Sequence, residues 1–449
     1  MINHKKVLAA CLAAVITLGG AAACSKSDST ASSSTTVNWW TWDDKQAASY
    51  QKCADKFTQE NPNIHIKISQ YAVGDYFTKL TAGFVAGDAP DAFQNSIAQL
   101  ADYASQGQLM PLDDLIKSSK FDMTKFSAGV DSWKYTDGKQ YGLPLDWSAV
   151  ALYYNADQLS KAGLTTKDID TMTWNPQDGG TFDKVVARLT VDNKGVRGNE
   201  PGFDKNHVAT YGVSLGTINS GGQTSWSSFV TTTGWTHGDK PNWPSVVNYG
   251  DTRFVKAMDY FRSLSDRGFA PKFGEMTVSN DQQLGSGKVA MITGGSWEAP
   301  TYAKLPNTKV GTAPTVLGPD GKTRSAMSNS NGNNIWAKTK HPNETWSWVS
   351  YMGSAECQTL AGQDGTFFPS IPTSMAKTVS AMKAQGVDLS AFLDASKNGT
   401  LYAKPATKNG AKLSSTEDPL IEAFFTHKRD DDVFGEMQQK SQKILAQGQ

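Results

Sequence analysis

The pattern of apolar and polar positions singles out one stretch near the middle of the chain. Its core is Val150–Tyr154, an unbroken apolar run with one β-branched and two aromatic side chains. Turn-forming Gly142 and Pro144 precede it, and this combination is typical of a buried strand. Asp146 and Trp147 stand at its start, where the Trp offers a flat apolar face and the carboxylate accepts hydrogen bonds. We therefore expect this point to face a binding site, although a turn Asp beside a half-buried Trp gives the same pattern.

A strand–helix–strand pattern opens the folded part of the chain. Val37–Trp42 predicts a first strand, and alternating apolar residues within 64–68 predict a second. Between them, apolar residues recur at helical spacing, at Ala47, Tyr50, Ala54 and Phe57. Such a unit implies parallel strands and an α/β lobe. The rhythm restarts after Asn155, and 449 residues suit two lobes better than one.

The N-terminus has the features of an export leader. Residues 1–23 contain two Lys followed by an apolar run that is too short for a membrane span. The run ends in Ala21-Ala22-Ala23-Cys24, which resembles a bacterial lipobox, although that pattern prefers Leu where Ala21 stands. We expect a signal peptide over 1–23, lipidation of Cys24, and a flexible Ser- and Thr-rich tether over 24–36. The alternative is an ordinary cleavage site with an incidental Cys.

The charge balance disfavours several classes of partner. The chain has 43 Lys and Arg against 43 Asp and Glu, and removing Lys5 and Lys6 with the leader leaves 41 against 43, a net charge of −2. This balance does not suit nucleic acid or a polybasic membrane surface. Only seven of the basic residues are Arg, the side chain that captures phosphate or carboxylate with two parallel bonds. A strongly anionic ligand is therefore disfavoured, while 13 Trp is a high count for this length.

The sequence carries no strong catalytic motif. Ser296 lacks the second Gly of a GxSxG elbow, and Ser374-x-x-Lys377 lacks the companion motifs of a penicillin-binding enzyme. The sequence also has no zinc-ligand spacing, phosphate loop or calcium loop, so we expect no metal and no cofactor. A glycoside hydrolase remains an alternative, with Asp146 and Glu298 as the two carboxylates that such enzymes place around the bond.

Several short segments, in this order, resemble the family-1 extracellular solute-binding proteins of ABC importers, the sugar-binding group. They are VNWWTWDD at 37–44, AGDAPDAF at 86–93, GLPLDWSAVALYYN at 142–155, GKVAMITGGSW at 287–297 and FFPSIP at 367–372. The resemblance implies an α/β fold: a two-lobe, periplasmic-binding-protein-like (type II) clamp with three interlobe crossings. By analogy the crossings fall near Val150, within 314–324 and within 365–372. Lobe 1 is then 37–149 and 325–368, and lobe 2 is 150–324 and 369–449.

The resemblance also places a set of loops at the cleft between the lobes. These loops combine aromatic rings with carboxylates and amides, which suits the apolar faces and hydroxyl rims of sugars. For each aromatic residue, packing inside a lobe is the competing interpretation. The predicted ligand-binding residues are Trp42, Asp43, Gln94, Asn95, Asp146, Trp147, Trp226, Trp297, Glu298, Asn331 and Phe367.

Two cysteines remain once the leader is removed and Cys24 carries lipid. They are Cys53 and Cys357, and an exported compartment permits a disulfide. The family topology implies that both lie in lobe 1, although about 300 residues separate them. We expect a disulfide between them, and the alternative is two buried free thiols that pack as small apolar side chains.

The function that the resemblance implies is capture of a neutral oligosaccharide between two closing lobes and its delivery to an ABC transporter permease. We expect an extracellular monomer, not an enzyme, held at the outer face of the cell membrane by its lipid alone and binding no nucleic acid. The alternatives are an exported carbohydrate-active enzyme and a binding protein for a non-sugar solute.

Overall fold

Twelve strands belong to the described part of the chain, and the computed structural model describes residues 34–127, 129–403 and 405–447. The leader, Cys24 and residues 25–33 of the predicted tether lie outside these ranges. In chain order the strands are β1 Thr35–Thr41, β2 Ile64–Gln70, β3 Ala92–Ser96, β4 Gly142–Pro144, β5 Ser148–Asn155, β6 Val191–Asp192, β7 Val208–Thr210, β8 Met291–Gly295, β9 Val310–Ala313, β10 Ala326–Asn329, β11 Asn331–Ile335 and β12 Leu401–Ala403.

Seventeen α-helices accompany these strands in the same ranges. They are α1 Asp44–Glu60, α2 Val73–Ala86, α3 Ile97–Ser105, α4 Asp113–Ser118, α5 Ala156–Lys161, α6 Thr166–Asp170, α7 Gly180–Leu189, α8 Ser227–Val230, α9 Thr252–Asp266, α10 Asn280–Gly285, α11 Ala299–Tyr302, α12 Pro342–Met352, α13 Ala355–Gly362, α14 Pro372–Ala384, α15 Ser390–Lys397, α16 Gly410–Phe425 and α17 Asp432–Ala446. None of them is long and apolar enough to span a bilayer.

Lobe 1 is built on a five-stranded sheet in the order β2-β1-β3-β11-β4. The first three strands run parallel, as the strand–helix–strand pattern predicts, and β1 alternates between buried and half-buried residues. Strands β11 and β4 add in antiparallel orientation. Because Thr35 already pairs with Ile64, the last residues of the predicted tether belong to β1 rather than to a flexible segment.

Lobe 2 is built on a second sheet in the order β12-β10-β5-β8, and β9 also pairs with β5. Residues 149–155 of β5 are all buried, since β8 covers one edge and β10 and β9 share the other. This agrees with the buried strand that the apolar run predicts. The lobe core continues through the C-terminal helices α16 and α17, which supply residues such as Ile421, Phe424 and Phe434.

The chain passes between the two sheets three times, and the passages fall close together. It leaves β4 at Pro144 and enters β5 at Ser148; later it leaves β10 at Asn329 and enters β11 at Asn331. In the third passage Phe367 packs in the core of lobe 1, while the next residue, Phe368, packs in a core of lobe 2. The fold is therefore the two-lobe α/β clamp with three crossings.

The positions of two crossings differ from the predicted ones. The first lies at 145–147, a few residues before Val150. The second lies at Ser330 instead of within 314–324, because β10 pairs with β5 and so keeps residues 326–329 in lobe 2. A sequence boundary at 325 misses this point, since a short polar strand such as Ala326–Asn329 has no apolar pattern of its own.

Helices α1 and α13 of lobe 1 are joined by a disulfide between Cys53 and Cys357. The Cα atoms of the two residues lie 5.3 Å apart across a sequence separation of 304 residues. Both sulfur atoms are buried in the lobe 1 core, beside Tyr50 and Phe367. The bond ties the returning segment 331–367 to the N-terminal helix without crossing between the lobes.

Candidate functional site

The three crossings are fastened to one another by hydrogen bonds. At the first crossing the Asp146 carboxylate accepts from the backbone N–H and from Nδ2 of Asn331, both at 3.0 Å. Ser330 Oγ donates to the carbonyl of Asp146 at 2.8 Å. Trp147 pairs with Phe368 through both backbone groups, and its indole Nε1 donates to the carbonyl of Pro369 at 3.0 Å. Asp146 and Trp147 therefore join the first crossing to the second and third.

A cavity of about 350 Å³ lies directly over these crossings, between the lobes. Its volume falls within the range of small-molecule sites, roughly 300–1,000 Å³. Lobe 1 contributes a wall from the end of β1 and the start of α1, and lobe 2 contributes the turn after β8. Seven of the predicted site residues line it, namely Trp42, Asp43, Asp146, Trp147, Trp297, Asn331 and Phe367.

Trp297 forms the lobe 2 wall because of the glycine that precedes its turn. Residues Ser296–Glu298 make a 3-10 turn directly after β8. A Cβ on Gly295 would stand 2.1 Å from the Trp297 ring, so only glycine lets the indole lie over the backbone there. The ring is half-buried and keeps part of its surface toward the cavity.

Trp42 forms the opposite wall from the end of β1. Its ring packs edge-on against Tyr76 at 5.2 Å and tilted against Phe77 at 5.5 Å, which holds it in place while it remains half-buried. The next residue, Asp43, caps α1, because its carboxylate accepts from the backbone N–H of Gln46 at 2.9 Å. Asp43 thus both starts the helix and lines the cavity.

Burial controls the ionisation of Asp146, which lies at the floor of the cleft cavity. Asp146 is 2% exposed, and this burial raises the pKa of its carboxyl to about 7. The hydrogen bonds from Asn331 favour the carboxylate and act against the shift, whereas the charge of Asp43 adds to it. The floor is therefore a hydrogen-bonded carboxyl group whose charge changes near neutral pH.

Four predicted residues do not line this cavity. Trp226 is 1% exposed in the lobe 2 core, where its Nε1 donates to the carbonyl of Asn219 at 2.8 Å. Gln94 is buried behind the wall and donates to Gln46 Oε1 at 2.8 Å. Asn95 is fully buried on β3. Glu298 lines a different cavity, in lobe 2, while Asp146 lines this one. These four residues therefore lie outside the lining of the cleft cavity.

Seven residues outside the predicted set also line the cavity: Gln46, Val73, Ser148, Gln223, Ser296, Asn329 and Thr366. Gln46 lies one turn along α1 from its cap, so the cap at Asp43 is a signal for it. Gln223 closes the Gly-rich NSGGQ loop, which has the right composition for a binding loop. Val73, at the start of α2, has no sequence signal that separates it from other exposed apolar residues.

The two walls also meet directly. Lys45 Nζ, on α1 of lobe 1, donates to Thr301 Oγ1, on α11 of lobe 2, at 2.6 Å. The contact is exposed to solvent. Within the described residues, no three His, Cys, Asp or Glu side chains come together as metal ligands. The arrangement offers two aromatic faces, hydrogen-bonding oxygens and amides, and a contact that closes the lobes over them.

The sequence of this chain is similar to those of known proteins. The sequence profile of the family described as "Bacterial extracellular solute-binding protein" matches residues 52–387. The chain is 27% identical over 305 residues to the maltodextrin-binding protein MdxE of Bacillus subtilis; the match covers 67% of this chain and 64% of that protein. More than a third of that relative is therefore outside the match.

Solved structures give the same fold over nearly the whole chain. UspC of M. tuberculosis superposes with a TM-score of 0.70 at 25% identity, covering 92% of this chain and 100% of that one. Lmo0181 of Listeria monocytogenes, in complex with cycloalternan, superposes with a TM-score of 0.78 at 19% identity, covering 92% and 99%. Because the family profile spans well over half of the sequence, this chain belongs to the bacterial extracellular solute-binding proteins.

Proposed function

We propose that this protein binds a neutral oligosaccharide in the cleft over the three crossings and delivers it to an ABC transporter permease. The observation that carries the proposal is the pairing of Trp42 and Trp297, two half-buried indoles held on opposite walls. Flat aromatic faces suit the C–H faces of sugar rings, and the carboxylates and amides between them suit the hydroxyl groups. The maltodextrin-binding relative supports the same class of ligand.

The charge of the cleft favours a neutral ligand over an anion. Among the described residues that line it, the charged ones are Asp43 and Asp146, and none is Lys or Arg. A phosphate or carboxylate ligand needs a cation or a cluster of N–H donors. The cleft oxygens are instead placed to accept hydrogen bonds from hydroxyl groups.

The remaining parts of the proposal concern how the protein works in the cell. We infer that it acts as a monomer outside the cell, attached to the membrane by a lipid on Cys24, and that it releases its ligand chemically unchanged. Family membership supports the extracellular location and the solute-binding role. Lipid attachment rests on the Ala-Ala-Ala-Cys sequence at 21–24.

A thermal-shift screen over neutral saccharides tests the function directly. A ligand that binds only the folded chain raises the midpoint of unfolding by mass action. We expect linear oligomers of glucose, mannose or arabinose to raise it and sugar phosphates to leave it unchanged. The bound sugar is then recovered and weighed by mass spectrometry, because shortened products would favour a glycoside hydrolase. No shift with any neutral saccharide would contradict the proposal.

A further inference from the structure

A second cavity lies inside lobe 2 and is larger than the cleft cavity. It measures about 540 Å³ and is formed entirely by residues of this lobe. We call it the lobe 2 chamber and define it by the loop 271–280 on one side and the segment 214–218 on the other. Phe261 and Phe425 line its inner part. Its size is that of a ligand site, because small-molecule sites measure roughly 300–1,000 Å³.

The loop that covers the chamber is held in a defined position. Glu275 accepts from the hydroxyl of Tyr211 at 2.6 Å and from the backbone N–H of Lys272 at 2.8 Å. Further along the loop, Val278 is 48% exposed at the rim, and Met276 and Phe273 are half-buried. The loop therefore covers the chamber in a defined conformation, with apolar side chains and the exposed Lys272 along it.

Polar groups gather at the other end of the chamber. Glu298 accepts from the backbone N–H of Gly295 at 3.0 Å and from the side chain of Asn280. Gln283 is 5% exposed; its Nε2 donates to the carbonyl of Val278 at 3.0 Å, while its Oε1 accepts no hydrogen bond from any described residue. A buried amide oxygen without a donor is costly, and the Gln283 side chain lines the chamber together with Asn280 and Glu298.

The chamber adjoins the cleft at a single turn. In the turn Ser296–Glu298, the first two residues line the cleft cavity and Glu298 lines the chamber. The positive charge of Lys45, on the lobe 1 wall, lies close enough to Glu298 to favour its carboxylate. The cleft cavity and the polar end of the chamber therefore lie on the two sides of one short turn.

We propose that the lobe 2 chamber is a second saccharide subsite, which binds the units of an oligosaccharide that extend beyond the cleft. The inference rests on the proposed function. Like the cleft, it has aromatic side chains along one part and a carboxyl group and two amides at the other; unlike the cleft, it also has a cation, Lys272, in its lining. The subsite makes the protein select for chain length, because a ligand confined to the cleft leaves the chamber empty.

Two serines of α9 provide a matched pair of variants. Ser265 lines the chamber and Ser263 does not, yet both are half-buried on the same helix. Each hydroxyl donates to the carbonyl three residues earlier, at 2.8 Å and 2.6 Å respectively. Ser265→Phe places a ring into the chamber, and Ser263→Phe controls for the effect of the same substitution on the helix.

Calorimetry tests the subsite. The ligands are linear oligomers of glucose, of mannose and of arabinose, each series running from the monosaccharide to the hexasaccharide. For the series that binds, we expect the unmodified protein to gain about tenfold in affinity beyond the length that fills the cleft. Ser265→Phe should lose this gain and keep its affinity for the short oligomers, while Ser263→Phe should keep both. If Ser265→Phe does not fold, Ser265→Leu and its matched control Ser263→Leu replace the pair in the same measurements.

The outcomes separate the two proposals. Affinity that stops rising at the disaccharide, with no difference between the two serine variants, overturns the subsite and leaves the function standing. A rise with length that both variants retain also overturns the subsite. No binding by any of the three series overturns the proposed function for these sugars and the subsite with it.

Discussion

The two lobes have the same α/β architecture, yet different interactions hold them together. Lobe 1 is assembled from two segments far apart in sequence, and the Cys53–Cys357 disulfide joins them within a core that also contains Tyr50 and Phe367. Lobe 2 contains no Cys. Its core is held by packing alone, including aromatic pairs such as Trp226 and Phe254, whose rings lie 5.0 Å apart. A covalent link limits the unfolded chain, whereas aromatic packing stabilises the folded one.

Within lobe 2, the exposed fraction of the ring separates a tryptophan of the core from one that lines the cleft. The Trp226 indole is enclosed by its own loop: a Cβ on Gly222 would stand 2.2 Å from the ring. Trp297, in the same lobe, is half-buried over Gly295 and faces the cleft. A polar, Gly-rich loop around a Trp therefore predicts a binding site only when the loop leaves the indole ring exposed. The following experiments test these differences.

The largest effect is expected from Trp226→Ala. Removing a fully buried indole deletes its packing and leaves a cavity, which costs about 3–5 kcal/mol in the free energy of unfolding. Urea denaturation measures this change, with Trp297→Ala as the control, because its half-buried ring should cost much less. Equal losses for the two variants would contradict the division between core and cleft.

Breaking the disulfide should have the next largest effect. Cys53→Ser together with Cys357→Ser should lower the free energy of unfolding by about 2–5 kcal/mol, the usual range for a native disulfide. Denaturation of the unmodified protein with and without a reductant checks the same loss independently. Intact mass after alkylation, under unfolding and non-reducing conditions, should show no modified Cys53 or Cys357. Two alkylated thiols would rule out the bond in the purified protein.

The two walls of the cleft should contribute similarly to binding. Trp42→Ala and Trp297→Ala should each weaken saccharide binding by about tenfold, or about 1.4 kcal/mol. Trp40→Ala serves as the control, because this Trp is half-buried on β1, packs against Tyr71 within lobe 1 and lies outside the cleft lining. Calorimetry measures all three. A loss for the control alone, or unchanged affinity for both wall variants, would place ligand contact elsewhere.

A further effect concerns pH and the crossings between the lobes. Burial raises the pKa of Asp146 from its ordinary value of 3.8 to about 7, so between these pH values the folded chain holds a proton that the unfolded chain has lost. This carboxyl therefore makes the protein less stable as the pH rises through that window. Asp146→Asn does not titrate and should remove this slope. Urea unfolding across the window checks it, and parallel profiles for the two proteins would contradict it.

Much of the fold was predictable because it depends on local patterns. Short local patterns predict three of the elements: alternation of apolar and polar residues predicts β2, helical spacing predicts α1 and an apolar run predicts β5. The resemblance to solute-binding proteins then supplied the three crossings and the region of the cleft. The second crossing was misplaced, because β10 is assigned to lobe 2 by its pairing with β5 and not by any feature of its own sequence.

The site was predictable only in part. Asp43, Asp146 and Trp297 stand at the ends of strands or at a helix start, where residues meet the cleft in such folds. Gln94 does not line the cavity; it donates a hydrogen bond to Gln46, and Gln46 lines the cavity in its place. Glu298 follows a cleft residue, but the turn directs it to the other side.

The sequence by itself determined the α/β lobes, the buried central strand and the small number of Arg residues. These properties are local or compositional, so they need no knowledge of distant contacts. Only the tertiary structure decided which tryptophans are exposed, where the chain changes sheets and that lobe 2 holds a second cavity. Those properties depend on how segments far apart in sequence cover one another, and burial is a property of that assembly rather than of any single segment.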